Sequence, residues 1–265
     1  MSFEYTSVED AITRSGLRMV VVGGVPSPWG EAAKGILHIK RIEWAAVRLA
    51  YDSEPLKAWT GLRNGPVAMY NDERPRAGWA DILLLAERLA SAPALLPADP
   101  AQRALAFGLA HEICGEQGLG WARRLQLIHA GLHGAGGFAP RAAQYLAKRY
   151  GYSPQAGADA GARVVQLLGL LAGRLHAQQA TGSRFYLGNS LSALDVYSAT
   201  FMAHLRRRDP RELRRRGGAR PPHGLSGRVA QRAPARRRRP SSSCSGQRLR
   251  ASARRRSARL LSPSG

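Results

Sequence analysis

A proline-rich run from Ser91 to Pro100 divides this chain into two stretches of different periodicity, and that change limits the folds open to it. Before the run, short apolar segments alternate with helical patterns. After it, only helical spacing occurs. Residues 17–22 (LRMVVV) read as a buried strand, followed by a turn at Gly23 and Gly24. Ser27 and Pro28 then open a helix to about Ile39, with serine at the cap and proline at the first helical position. Residues 42–47 read as a second strand, and 52–60 as a loop or short helix. Asn64-Gly65-Pro66 turns into a third strand ending at Tyr70, and Arg74–Arg76 is a weak edge strand. Trp79–Leu89 carries a one-sided apolar stripe and reads as a helix. Past Pro100 the spacing predicts helices to about Cys114, over 118–133, 140–150 and 159–179, and from Ala193 onward. The expected class is an α+β unit followed by an all-α unit.

The last of these helices is the best punctuated. Ser192 and Asp195 stand as S-x-x-D at its start, a capping box. The serine oxygen is expected to accept from the N–H three residues on, while the aspartate reaches back to the serine N–H. Leu191 and Val196 flank the box as a hydrophobic staple, and Asp195 places negative charge on the positive end of the helix.

Beyond Ala203 the composition changes abruptly. Of the net charge of +22, +18 lies in residues 204–265, which hold 20 Arg, no Lys, and only Asp209 and Glu212 as acids. This segment has no Ile, Phe, Tyr, Trp or Met, so it is expected to be a disordered tail. Two readings fit it. One is an Arg-rich arm that contacts nucleic-acid phosphates. The other is out-of-frame translation of a GC-rich gene, a frameshift product, consistent with Arg in the complete absence of Lys. Residues 1–203 carry only +4 and read as an ordinary globular body. An unpartnered apolar face near Val196, Phe201 and Met202 is expected, because the tail offers no helix to cover it.

The strand–turn–Ser27-Pro28-Trp29–helix opening, Gly65-Pro66-Val67 before the third strand, and the Ser192/Asp195 box together resemble the cytosolic glutathione S-transferase superfamily, over about residues 16–203. The resemblance implies a thioredoxin-like N-terminal domain at 16–90, after an extension at 1–15. A linker at 91–99, a helical domain at 100–203 and the tail at 204–265 would follow. It implies glutathione as co-substrate, a small-molecule electrophile as acceptor, a homodimer and a cytoplasmic setting. Ser27 stands where the family activates the glutathione thiol; the alternative is that Ser27 only caps its helix. Pro66 would be cis and present the Gly65 backbone to a peptide-like ligand. Trp29 and Trp79 flank ligand positions, and Val67 follows the proline. Where the family has Glu/Gln-Ser gripping the γ-glutamyl group, this chain has Gly78 and Trp79. Arg76 and Asp81 are the nearby groups able to supply part of that grip. A non-catalytic binding module of the same fold is the alternative function.

Other candidates are sparser. Cys114 reads as a buried small residue, with a reactive thiol as the alternative. His129 and His133 share a face at i, i+4, but no third ligand is near, so no metal is expected. No signal-peptide pattern opens the chain, and no run of about 18 apolar residues predicts a membrane span.

Overall fold

The strand over 17–21 is central because it is apolar on both faces. In a computed structural model describing residues 4–24 and 26–205, β2 (Leu17–Val21) is buried at every position. A strand buried this way belongs inside a partly parallel sheet with helices on both faces. The sheet has the order β1-β3-β2-β4, with β1 at Tyr5–Thr6, β3 at Ala45–Arg48 and β4 at Val67–Tyr70. β3 runs parallel to both β1 and β2, and β4 runs antiparallel to β2. Met19 is the register point, opposite Ala46 on one side and Ala68 on the other.

Alternation along β2 sorts two cores. Leu17, Met19 and Val21 face a large core shared with α2 (Pro28–Ile39), α4 (Trp79–Leu89) and the later helices. Val20 faces a smaller core with Val47, Leu56 and Val67, beneath α1 (Val8–Thr13) and α3 (Glu54–Thr60). Arg18 shares that second side and is only 2 % exposed. Its guanidinium donates to the carbonyls of Ala11, Gly16 and Asn71 at 3.1, 2.7 and 3.1 Å and lies 5.5 Å from the Trp59 ring centroid. Three accepting carbonyls and an aromatic face let a charged side chain occupy a buried strand.

Three stretches depart from expectation. Residues 5–13, expected as part of an extension, supply edge strand β1 and helix α1, capped where Ser7 accepts from the Asp10 N–H. A two-residue strand is too short to show periodicity. The Arg74–Arg76 strand reduces to a single bridge between Ala68 and Arg76. Residues 54–60 take the helical one of the two readings given for 52–60, ended by Gly61 at φ 71°. The long helix begins at Pro154, earlier than its apolar pattern, because Ser153 accepts from the Ala156 N–H as a cap.

The remaining helices are α5 (Pro100–Cys114), α6 (Leu119–Leu132), α7 (Pro140–Arg149), α8 (Pro154–Ala180) and α9 (Ala193–Leu205). They join the sheet half in one compact unit. One tie is the buried Lys40 at the end of α2. Its ammonium donates to Glu87 of α4 at 2.6 Å and to the Pro93 carbonyl at 2.8 Å, and the same Glu87 oxygen accepts from the Leu95 N–H.

The capping box forms by half its expected bonds. Asp195 Oδ2 accepts from the Ser192 N–H at 2.8 Å, as expected. The serine hydroxyl does not accept from a backbone N–H; it donates to the same Oδ2 at 2.6 Å. Asp195 Oδ1 accepts from the Tyr186 N–H at 3.0 Å, so the carboxylate also anchors the preceding loop. The staple is not closed either: Leu191 stays exposed while Val196 is buried close to Gly35 of α2. The expected bare face on α9 is absent, since Val196 and Phe201 are 8 % and 2 % exposed and Met202 packs against the core. Helix α9 packs on α2 and α5. The disorder and the two readings assigned to the tail fall outside the described residues beyond Leu205. Among the described residues no helix is long and apolar enough to cross a membrane.

Candidate functional site

A cavity of about 520 Å³ opens where the sheet half meets the helices. The start of α2 contributes Ser27 and Trp29, and the loop before β4 contributes Asn64, Gly65 and Pro66. Trp79 comes from α4, His111 and Cys114 from the end of α5, and Trp121 from α6. Arg149 and Tyr150 come from the end of α7, and Tyr197 from α9.

Ser27 precedes the first residue of α2 in extended conformation, φ −102° and ψ 129°, and its hydroxyl makes no capping bond. Ser27 thus holds the cap position without the capping side-chain bond, and its carbonyl accepts from the Glu31 N–H at 2.8 Å. An uncommitted hydroxyl at the positive end of a 12-residue helix, on a cavity wall, suits it to meet an anionic ligand atom. The Gly65–Pro66 peptide is cis. Beside it, Asn64 Oδ1 is buried and accepts no hydrogen bond among the described residues.

The floor is kept neutral. Burial pushes the Cys114 thiol well above its ordinary 9.0, and burial with the neighbouring Cys114 pushes the Tyr197 phenol well above 10.0. The Tyr197 hydroxyl donates to the Trp79 carbonyl at 3.1 Å, and the Trp29 indole N–H donates to the Cys114 carbonyl at 2.8 Å. A thiol held protonated is a poor nucleophile, so Cys114 is a wall residue and the reactive alternative is not supported.

Of the residues singled out from sequence, Ser27, Trp29, Gly65, Pro66 and Trp79 line the cavity. Val67 does not: its side chain is fully buried in the smaller core, because the first residue of β4 points to the opposite sheet face. Gly78 is exposed at the cap of α4 and off the cavity wall. Arg76 and Asp81 are also off it, engaged with Glu73 and Arg74 respectively. The two arginines Arg88 and Arg76 hold the Glu73 carboxyl below its ordinary range. His129 and His133 stack at 4.2 Å. Each Nδ1 is engaged, one with the Tyr152 hydroxyl and the other with the His129 carbonyl. No group of three potential ligands capable of holding a metal occurs among the described residues.

Sequence reading missed Asn64, His111, Trp121, Arg149, Tyr150 and Tyr197. The Gly65-Pro66 turn and the helix ends near Cys114 and Tyr150 were visible; the convergence of their neighbours on one cavity was not.

No protein-family model and no curated protein matches the sequence. Solved structures do. A glutathione transferase family member from Pseudomonas fluorescens, with two glutathione bound, aligns with a TM-score of 0.53 at 15 % identity, covering 75 % of this chain and 82 % of that one. The fold is that of the glutathione S-transferases. The Tau class glutathione S-transferase from mango, Mangifera indica, aligns with a TM-score of 0.52 at 22 % identity, over 72 % of this chain and 76 % of that one. A glutathione S-transferase from Methylobacterium radiotolerans, in complex with glutathione sulfonate, aligns with a TM-score of 0.51 at 20 % identity. That alignment covers 82 % of this chain and all of the other. The glutathione S-transferase fold here comprises the thioredoxin-like α+β sheet unit and the all-α helices after it, with the cavity between them.

Proposed function

We propose that this chain is a glutathione-dependent transferase that adds the glutathione thiolate to a small electrophile. The observation that carries the reading is the Ser27 hydroxyl: without a partner among the described residues, at the N-terminus of α2, on the same cavity wall as the cis Gly65–Pro66 turn. In this reading the hydroxyl donates to the thiolate sulfur, and the field at the helix start favours the ionised thiol. The thiol proton goes to solvent. The sulfur forms a bond to the electrophilic carbon, and the leaving group departs with its electron pair. Asn64 and Gly65, on the same wall, lie beside the tripeptide in this reading. The domain division at 16–90 and 100–203 assigns glutathione to the sheet side and the acceptor to the helical side. A cytoplasmic homodimer completes the proposal.

The second reading is a non-catalytic binding module, favoured by Trp79, whose bulk occupies cavity wall where the family carries a small hydroxyl. Retention on immobilised glutathione, followed by steady-state kinetics with 1-chloro-2,4-dinitrobenzene, separates the two. The enzyme reading expects retention and a loss of about 10- to 100-fold in kcat/KM for Ser27→Ala, the worth of one hydrogen bond to a charged sulfur. Absence of both retention and turnover in the wild-type chain overturns it.

A further inference from the structure

Arg124 of α6 has an unusual set of partners. Its guanidinium carbon lies 5.8 Å from the Trp29 ring centroid, 5.5 Å from Phe138 and 5.9 Å from Tyr150. Among the described residues it forms no ion pair and donates to no acceptor, so aromatic faces are what hold it. A guanidinium is flat, delocalised and weakly hydrated, which suits it to stack against more than one ring.

Two of these rings line the cavity and come from different elements: Trp29 from α2, and Tyr150 from the end of α7. Each belongs to a separate edge-to-face pair. Trp29 packs on Phe201 with centroids 5.1 Å apart, and Tyr150 packs on Trp121 with centroids 4.7 Å apart. Arg124 is the contact that joins the two pairs into one aromatic wall. The Trp29–Phe201 pair is itself seated over Gly120, one turn earlier on the same helix as Arg124, where a Cβ would come within 3.0 Å of Trp29.

We propose that Arg124 is a positioning residue for the aromatic half of the cavity. Its guanidinium couples the wall on α2 to the wall at the end of α7 and sets the slot that receives a flat apolar acceptor. The acceptor role rests on the transferase reading; the slot itself does not.

The test uses the full chain and two variants. Arg124→Met keeps length but removes charge and planarity, and Arg124→Lys keeps charge alone. Binding of N-phenyl-1-naphthylamine, a neutral aromatic probe, is read by fluorescence without glutathione. Its Kd is expected to rise about three- to tenfold in Arg124→Met, with Arg124→Lys between, as loss of stacking contacts of this kind implies. In turnover, KM for 1-chloro-2,4-dinitrobenzene rises by a like factor while KM for glutathione stays within about twofold. A merely structural role would move both KM values together, and that result overturns the proposal. Unchanged probe affinity in Arg124→Met also overturns it, or in Arg124→Lys should the methionine variant not fold. A wild-type chain that turns over nothing but binds the probe in an Arg124-dependent way removes the transferase reading and leaves this inference standing.

Discussion

Replacing Asp195 by alanine is expected to destabilise the chain by about 3 kcal/mol. The carboxylate accepts three hydrogen bonds, from the Ser192 N–H at 2.8 Å, the Ser192 hydroxyl at 2.6 Å and the Tyr186 N–H at 3.0 Å. The hydroxyl can rotate to another acceptor. The two backbone donors cannot, and Ser192 and Tyr186 are only 5 % and 9 % exposed. A buried donor left without a partner costs about 1–3 kcal/mol, and Asp195 is half-buried, so some water reaches the gap. Near the lower end for each donor, with the lost charge at the helix start added, the total is about 3 kcal/mol. For a body of this size that lowers Tm by about 6–12 °C. Asp195→Asn keeps one acceptor oxygen and is expected to lose about half as much. Leu191→Ala, at the exposed residue of the unformed staple, is expected to change stability by less than about 0.5 kcal/mol. Denaturant titration of the three variants reads the order directly, as midpoint shifts with unchanged slope. Equal stability of Asp195→Ala and wild type would show that the carboxylate does not hold the loop to the helix.

Lys40→Met strands the Glu87 carboxylate in a largely buried site and is expected to cost about 3 kcal/mol, measured by the same titration. Lys40→Met/Glu87→Gln should recover part of it, because the amide oxygen still accepts from the Leu95 N–H. Gly120→Ala forces Phe201 and Trp29 aside and is expected to cost about 1–3 kcal/mol, with a changed near-ultraviolet circular dichroism signal from Trp29. Alkaline solution is expected to destabilise the fold. Above their ordinary values of 9.0 and 10.0, Cys114 and Tyr197 lose protons when unfolded but keep them when folded. The unfolded state then binds fewer protons, and stability falls as pH rises past about 9. A Tm that is flat from pH 8 to 10.5 would contradict this, as would alkylation of Cys114 at pH 8, mapped by peptide mass, as fast as that of free cysteine.

Local chemistry accounts for what could be read in advance. The Ser27-Pro28 start, the turn at Gly65-Pro66 and the box at Ser192/Asp195 are each made by neighbours in sequence, so spacing alone reveals them. Lys40 with Glu87 and Arg18 with Asn71 are far apart in the chain, and nothing in their spacing marks the pairs.

By itself the amino-acid sequence determined most of the succession of strands and helices from β2 to α9, the switch to helix after Pro100 and the residues that open α2, α4, α5, α7 and α9. Propensity, capping and periodicity act within a few residues of one another. Only the tertiary structure decided which way each side chain was spent. It left the Ser27 hydroxyl without a capping bond on a cavity, turned Val67 into the opposite core, and closed α9 against α2. It also set Arg124 among rings from three separate parts of the chain. Those outcomes depend on which elements meet, and packing between distant segments is set by the whole fold.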